Sequence, residues 1–140
     1  MEGLKYLLDT NVLSEPLLPV PNSLILERLR DHQHEVATAS VVWHELRFGL
    51  HRLPLSARRS TIQEYLNEVV KPSVRILPYE TRAAEWHASE RARLVGAGRT
   101  QPFVDGQIAA VAWAYDLTLV TANLTDYVGF RGVQVVDWSA

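Results

Sequence analysis

The 140-residue chain contains no cysteine. That absence excludes a disulfide scaffold, a thiol nucleophile and a zinc site built on sulfur. No apolar run approaches the roughly 18 residues a membrane span needs. The stretch from Met1 to Leu8 carries one lysine and is too short to supply the apolar region of a signal peptide. The expectation is a soluble, cytoplasmic protein with no membrane partner. Lysine is almost missing: of 14 basic residues only Lys5 and Lys71 are lysines. A phosphoacceptor domain of the receiver or haloacid-dehalogenase type needs a lysine near its later strands, and none follows Lys71. No G-x-G-x-x-G follows the first apolar run, which excludes a dinucleotide-binding domain. Charge of one sign is also lacking. Fourteen bases stand against 16 acids, a net charge of −2, which argues against a general basic coat but not against a local basic groove.

What remains is a chain with 47% hydrophobic residues and no internal repeat, low-complexity tract or flexible linker, so residues 1–140 read as a single domain. Short apolar runs alternate with helical patterns. Lys5–Leu8, Glu35–Thr38, Val74–Leu77, Leu117–Thr121 and Val133–Val136 read as strands. A helix follows the turn at Pro19–Pro21, with Leu24, Ile25 and Leu29 on one face. Ser40 suits the N-cap of a helix carrying Val41, Val42, Leu46 and Leu50. Leu53-Pro54 breaks it, and another helix runs from Ser56 to Val70 with Ile62, Leu66 and Val69 at helical spacing. Thr81 suits the cap of a helix running to Gly96 and Gly98. Pro102 fits the first turn of a further helix, Phe103 to Tyr115. Continuously apolar strands separated by helices mean a three-layer α/β/α fold with a central parallel sheet of about five strands. Ligands of such folds gather at the carboxyl ends of the strands.

Most acids have a simple explanation. Glu27, Glu68 and Glu90 have Arg30, Lys71 and Arg93 at i+3, and Glu85 has Arg82 at i−3, as solvated helix-surface pairs do. Asp9, Glu45 and Asp105 do not. Asp9 ends an apolar strand. Glu45 sits beside Val41 and Val42, and Asp105 has Ile108, Ala109 and Ala112 at helical spacing. None has a basic residue at helical distance. Taken singly, each could be a cap or a hydrogen-bonded structural carboxylate. Together they fall on one rim of the sheet, and Asp126, just after a strand, falls there too unless it only caps a turn. Like charges on one rim repel unless they take up protons or bind a cation. Oxygen ligands without sulfur suit Mg²⁺ or Mn²⁺, and such a cluster suits phosphodiester cleavage.

The segments Leu7–Glu15, Ala39–Gly49, Asp105–Ala112 and Leu119–Tyr127, in that order and spanning nearly the whole chain, resemble the PIN domain. Within it they are most similar to VapC-type toxins of bacterial toxin–antitoxin systems, and Glu45-Leu46-Arg47-Phe48-Gly49 is similar to the FitB-like branch. The resemblance implies a Mg²⁺- or Mn²⁺-dependent endoribonuclease in which Asp9, Glu45, Asp105 and Asp126 are catalytic, metal-binding acids. It implies that Thr10, Asn11, Ser40, Thr121 and Asn123 support those acids or position substrate. It also implies a homodimer, inhibited by a cognate VapB-like antitoxin whose C-terminal segment wraps the toxin. The family usually has Arg before the last Asn, where this chain has Ala122, and Phe where it has Tyr127, read as a conservative change. The alternative is a noncatalytic or housekeeping RNA-binding or RNA-processing protein of the same fold with no antitoxin.

Other features fit around this. Arg47, two residues beyond Glu45, is a possible phosphate contact. Arg91, Arg93 and Arg99 precede the Asp105 helix, either as a solvated helix face or as an RNA path. His44-Glu45 opens an H-E-x-x-H pattern, but Phe48 stands where the second histidine belongs. The other histidines read as surface residues. Trp43, Trp86 and Trp113 read as core or dimer interface rather than stacking platforms. Setting the four rim acids aside leaves 12 acids against 14 bases, a concentrated negative site on a slightly basic body.

Overall fold

The computed structural model describes residues 3–140; Met1 and Glu2, part of the N-terminal stretch considered above, lie outside them. The five strands are β1 (Tyr6–Leu8), β2 (Val36–Ala39), β3 (Arg75–Leu77), β4 (Thr118–Val120) and β5 (Val135–Val136). The helices are α1 (Thr10–Leu13), α2 (Ser23–Asp31), α3 (Ser40–His51), α4 (Ala57–Glu64), α5 (Lys71–Ser73), α6 (Thr81–Gly96) and α7 (Phe103–Ala114). The sheet is parallel throughout, in the order β3-β2-β1-β4-β5, with helices layered on both faces. Among the described residues no helix is long and apolar enough to cross a membrane.

That order places the reversal of strand order in the sheet between β1 and β4, where Leu8 pairs with Val120. The chain steps from β1 outward to β2 and β3, then returns to lay β4 on the other side of β1. Crossovers leave β1 and β4 in opposite directions, and a crevice opens beyond their carboxyl ends. The central strands are apolar on both sides because helices cover both: Leu7, Leu8, Ala37, Ala39, Leu119 and Val120 are fully buried. Helix α7 is buried over Ile108 to Ala112, and its alanines let it approach β4 and its helical neighbours closely.

The fold matches the expected class, with local differences. Ser40 and Thr81 are first residues of their helices; Ala39 and Glu80 occupy the N-caps without side-chain bonds, while Ser56 and Asn22 do cap, through Arg59 N and Ile25 N. Pro102 is an N-cap rather than a first-turn residue. The helix expected over Ser56–Val70 changes to π geometry at Tyr65–Val70. A π turn absorbs one extra residue, so Val70 turns into the core while Val69 stays 52% exposed. Gly98, at φ +74°, ends α6 in a Schellman turn, with Arg99 N donating to Leu94 O at 2.8 Å and Gly98 N to Val95 O at 3.0 Å.

Two surface assignments are corrected. His87 is buried, its Nδ1 paired with the Tyr79 hydroxyl at 3.0 Å. Glu90 is not a solvated partner of Arg93 but a buried carboxylate, 3% exposed. It accepts from Arg93 Nη2 at 2.8 Å, Arg131 Nη2 at 3.0 Å and the Arg131 backbone N–H at 2.8 Å, tying α6 to the loop before β5. The expected pairs of Glu27, Glu68 and Glu85 are absent among the described residues; Arg82 instead lies 4.7 Å from the Trp113 ring centre and donates to Ala114 O. Trp113 in turn stacks on Trp86 at 5.4 Å.

Hydrogen bonds from Arg93 and Arg131 hold the Glu90 carboxyl down at about 2, against 4.5 ordinarily. A depressed folded-state pKa contributes stability above the unfolded value and loses it as pH falls through the folded one. Glu90→Gln is therefore expected to lower unfolding free energy at pH 7 by about 1–3 kcal/mol and to flatten its fall between pH 4.5 and 2. Urea denaturation across that range checks this; a mutant retaining the wild-type acid limb would assign the limb to other groups.

Candidate metal centre and nuclease site

The crevice beyond β1 and β4 holds the expected acids. A cavity of about 420 Å³ is lined by Asp9, Thr10, Asn11, Glu45, Asp105, Asn123 and Asp126 together with Val104 and Ile108. Each acid comes from a different element. Asp9 directly follows β1 and caps α1, Glu45 lies on α3, Asp105 in the first turn of α7, and Asp126 on a 3-10 turn (Leu124–Tyr127) beyond β4.

Asp9 is fixed and the other three are not. Asp9 is 6% exposed. Its Oδ1 accepts from Thr10 N at 2.7 Å, and its Oδ2 from the Thr121 hydroxyl at 2.8 Å and the Tyr127 hydroxyl at 3.0 Å. A carboxylate has about four lone-pair positions, so these three donors orient Asp9 and leave room for one more partner. Thr121 Oγ1 also accepts from Asn11 Nδ2 at 3.3 Å and Asn123 N at 3.1 Å, and Asn11 Oδ1 accepts from Ala122 N at 3.0 Å. This network welds the end of β1 to the end of β4. Glu45, Asp105 and Asp126, by contrast, have no side-chain hydrogen bond or ion pair among the described residues.

Burial, then the charges of Asp126, Asp9 and Glu45 in that order, push the Asp105 carboxyl up to about 6, from 3.8 ordinarily. Asp105 therefore feels the other three carboxylates although no three His, Asp or Glu residues among those described already form a closed ligand set. The donor set fits a hard divalent cation: all oxygen, no sulfur, three side chains without protein partners, and unbalanced negative charge in a recess. A cation would supply the missing counter-charge, and the three untethered acids would draw toward it.

The remaining expected site residues are distributed around this centre. Thr10, Asn11 and Asn123 line the cavity, and Thr121 lies beneath it, fully buried. Ser40 lines a neighbouring cavity that shares Glu45 and Val104. Arg47 is turned elsewhere: it donates to Asn67 Oδ1 at 2.8 Å and lies 5.8 Å from the Trp43 ring centre. Tyr127 is the residue that sequence reasoning undervalued. Its ring is buried and its hydroxyl holds Asp9, which a phenylalanine cannot do. The available signal was the hydroxyl itself, since a tyrosine buried beside a strand end must find a partner.

Asp126→Asn is expected to lower the Asp105 pKa below about 6 without restoring 3.8, because burial is the larger cause. Carboxyl-carbon NMR titration measures it, and an unmoved Asp105 would show that the two acids are uncoupled. The raised Asp105 binds its proton more tightly folded than unfolded, so its effect on stability has the opposite sign to Glu90. Stability gains as pH falls from about 6 to 3.8. Asp105→Asn is accordingly expected to raise the melting temperature at pH 7 without added metal and to diminish the further rise on adding Mn²⁺, read by calorimetry.

Comparison with known proteins agrees with this geometry. The PIN domain family model matches residues 6–125. Toxin FitB of Neisseria gonorrhoeae is 35% identical over 127 residues, covering 84% of this chain and 86% of its own. VapC ribonuclease Y4jK of Sinorhizobium fredii is 32% identical over 123 residues, covering 86% and 88%. The solved structure of FitAB bound to an IR36 DNA fragment superposes with a TM-score of 0.88 at 28% identity, over 96% of both chains. With the family model spanning the sheet and the crevice acids, and with relatives of this similarity along most of its length, the chain belongs to the PIN-domain family, among proteins similar to the VapC and FitB toxins.

Proposed function

We propose that residues 1–140 form a single PIN nuclease domain that cleaves RNA phosphodiester bonds with Mg²⁺ or Mn²⁺, as the toxin of a toxin–antitoxin pair. The observation that carries this reading is the crevice itself: four carboxylates from four elements around one cavity, three of them without partners among the described residues. The ribonuclease and toxin names of the relatives support it. On this reading the protein acts in the cytoplasm as a homodimer and is held inactive by a VapB-like antitoxin. FitAB, as a complex of a related protein, supports the last part.

Asp9, Glu45, Asp105 and Asp126 would hold the cation. When bound, it supplies polarisation of a phosphoryl oxygen and a lowered pKa for an attacking water. The chain's own residues do the rest. Thr10 N, Thr121 and Tyr127 hold the Asp9 side chain aimed into the crevice. Asn11 locks the ends of β1 and β4 together, so Asp9 and the Asn123 rim keep one relative position. Burial first, then the charges of Asp126, Asp9 and Glu45, raise the Asp105 carboxyl, and a cation held there would offset those charges and favour its ionised form.

Cleavage of single-stranded or looped RNA is expected with Mg²⁺ or Mn²⁺, none in EDTA, and a loss of about 10²-fold or more for Asp9→Asn. Undiminished cleavage in EDTA or in the mutant would refute the metal mechanism. Tyr127→Phe removes one hydrogen bond to an ionised group, a cost of about 1.5–3 kcal/mol. It is expected to weaken Mn²⁺ binding and cleavage by about tenfold, whereas unchanged Mn²⁺ affinity by calorimetry would make the hydroxyl purely structural. Expression of the chain alone should arrest growth, and co-expression of its genomic neighbour should relieve it; no arrest would favour a housekeeping nuclease.

A further inference from the structure

Beside the acidic crevice lies a cavity of the opposite character, about 310 Å³ in volume. The first turn of α7 forms a wall common to both: Phe103 faces this cavity, while Val104 and Asp105 face the acids. Its other walls include His87 and Arg91 from α6, and Arg99, Thr100 and Gln101 from the loop between the helices. No acid lines it.

Two of its groups are unused. Among the described residues the guanidiniums of Arg91 and Arg99 make no ion pair and no hydrogen bond. The contrast is local. Arg93, two residues from Arg91, is committed to Glu90 and to Gly129 O, and Arg131 is committed to Glu90. The Schellman turn at Gly98 pins the backbone of Arg99 where α6 ends. The Arg91 guanidinium lies 5.0 Å from the centre of the Phe103 ring, which is 49% exposed, and buried His87 supports the ring from 5.0 Å. An exposed aromatic ring with a guanidinium over it is a flat platform of the kind on which nucleobases stack. A second guanidinium beside it suits bidentate contact with phosphate.

We propose that this cavity is a nucleotide subsite for single-stranded RNA, flanking the phosphodiester presented to the acidic crevice. Arg91 and Arg99 contact backbone phosphate, and the Phe103–Arg91 platform stacks the base. The aromatic platform and the shared wall with the acids favour RNA over an acidic peptide, which has no planar group to stack. The inference rests on the ribonuclease reading but concerns binding, which can be measured without cleavage.

The test is fluorescence anisotropy of a short labelled single-stranded RNA against the full chain in EDTA, across a KCl series. Arg91→Ala/Arg99→Ala is expected to weaken binding about tenfold or more. It should also reduce the slope of log K against log salt by about 1.4, at roughly 0.7 per phosphate contact on a single strand. Phe103→Leu is expected to weaken binding about fivefold or more with an unchanged slope, since stacking carries no counterions. Arg91→Lys/Arg99→Lys should restore the slope and only part of the affinity. Mn²⁺ affinity, measured by calorimetry, should stay at wild type in all three variants. Wild-type affinity and slope in the double alanine variant would overturn the subsite; if Asp9→Asn still abolished cleavage, the ribonuclease reading would stand alone. Absence of RNA binding together with absence of cleavage would overturn both. A poly-glutamate peptide bound in an arginine-dependent way, with RNA binding indifferent to the arginines, would overturn the subsite and assign the cavity to a protein partner.

Discussion

Mutual repulsion among four carboxylates is the constraint around which this molecule is organised. A protein of this size could bury its apolar surface without placing Asp9, Glu45, Asp105 and Asp126 around one recess, and unfolded chain in water would not hold them together. The fold does so because apolar neighbours anchor the segments that carry Asp9 and Asp105, with hydrogen bonds to its carboxylate fixing Asp9 further. Asp9 follows the buried pair Leu7-Leu8; Asp105 leads into the buried run Ile108 to Ala112. Packing of these segments holds the charges near one another, and burial together with the charges of Asp126, Asp9 and Glu45 raises the Asp105 carboxyl.

The parallel topology makes this arrangement possible. With β1 between β2 and β4, the ends of two central strands reach the same rim, and Asp9 N donates to Val120 O at 2.9 Å just past the ladder. The rim is then locked by small polar side chains, not by salt bridges: Thr121, Asn11 and Tyr127 join residues more than a hundred positions apart in sequence. Helix α7 is set at close quarters from behind. His87 lies so near Gly106 that a Cβ there would come 2.0 Å from Nε2, so only glycine fits directly after Asp105. The Tyr79 hydroxyl fixes the other side of that imidazole, and a chain of contacts thus runs from the loop after β3 to the first turn carrying Asp105.

Much of this was legible in the sequence, and the parts that were not share a physical reason. The α/β alternation and the rim acids could be read because they leave local marks, apolar runs of strand length and carboxylates without a basic neighbour at helical spacing. Glu90 misled by the same rule. Its local partner Arg93 is real, but Arg131, 41 residues away, completes the site and makes burial tolerable. Tyr127 and His87 were misread because a tyrosine hydroxyl or an imidazole reveals nothing about its partner until the fold supplies one. The π turn at Tyr65–Val70 was invisible for a different reason: Val69 and Val70 are both apolar, so the pattern of Leu66 onward fits either register, and packing decides which valine turns inward.

The near-neutral charge of the chain conceals how its arginines are divided. Glu90, held as a carboxylate by its hydrogen bonds from Arg93 and Arg131 in spite of burial, occupies both arginines; Arg47 is held by Asn67 and Arg82 by Trp113 and a helix end. These contacts remove guanidiniums from the pool able to meet phosphate and leave Arg91 and Arg99 beside the Asp105 helix. Had the acids of the crevice been reached by any of those arginines, each would have formed an ion pair and the recess would no longer call for a cation. Segregation is therefore as necessary to the site as the acids themselves. A buried structural carboxylate on α6 keeps two arginines away from the crevice and tied to the fold. The first turn of α7 then separates the remaining positive cavity from the negative one by the width of a single helix.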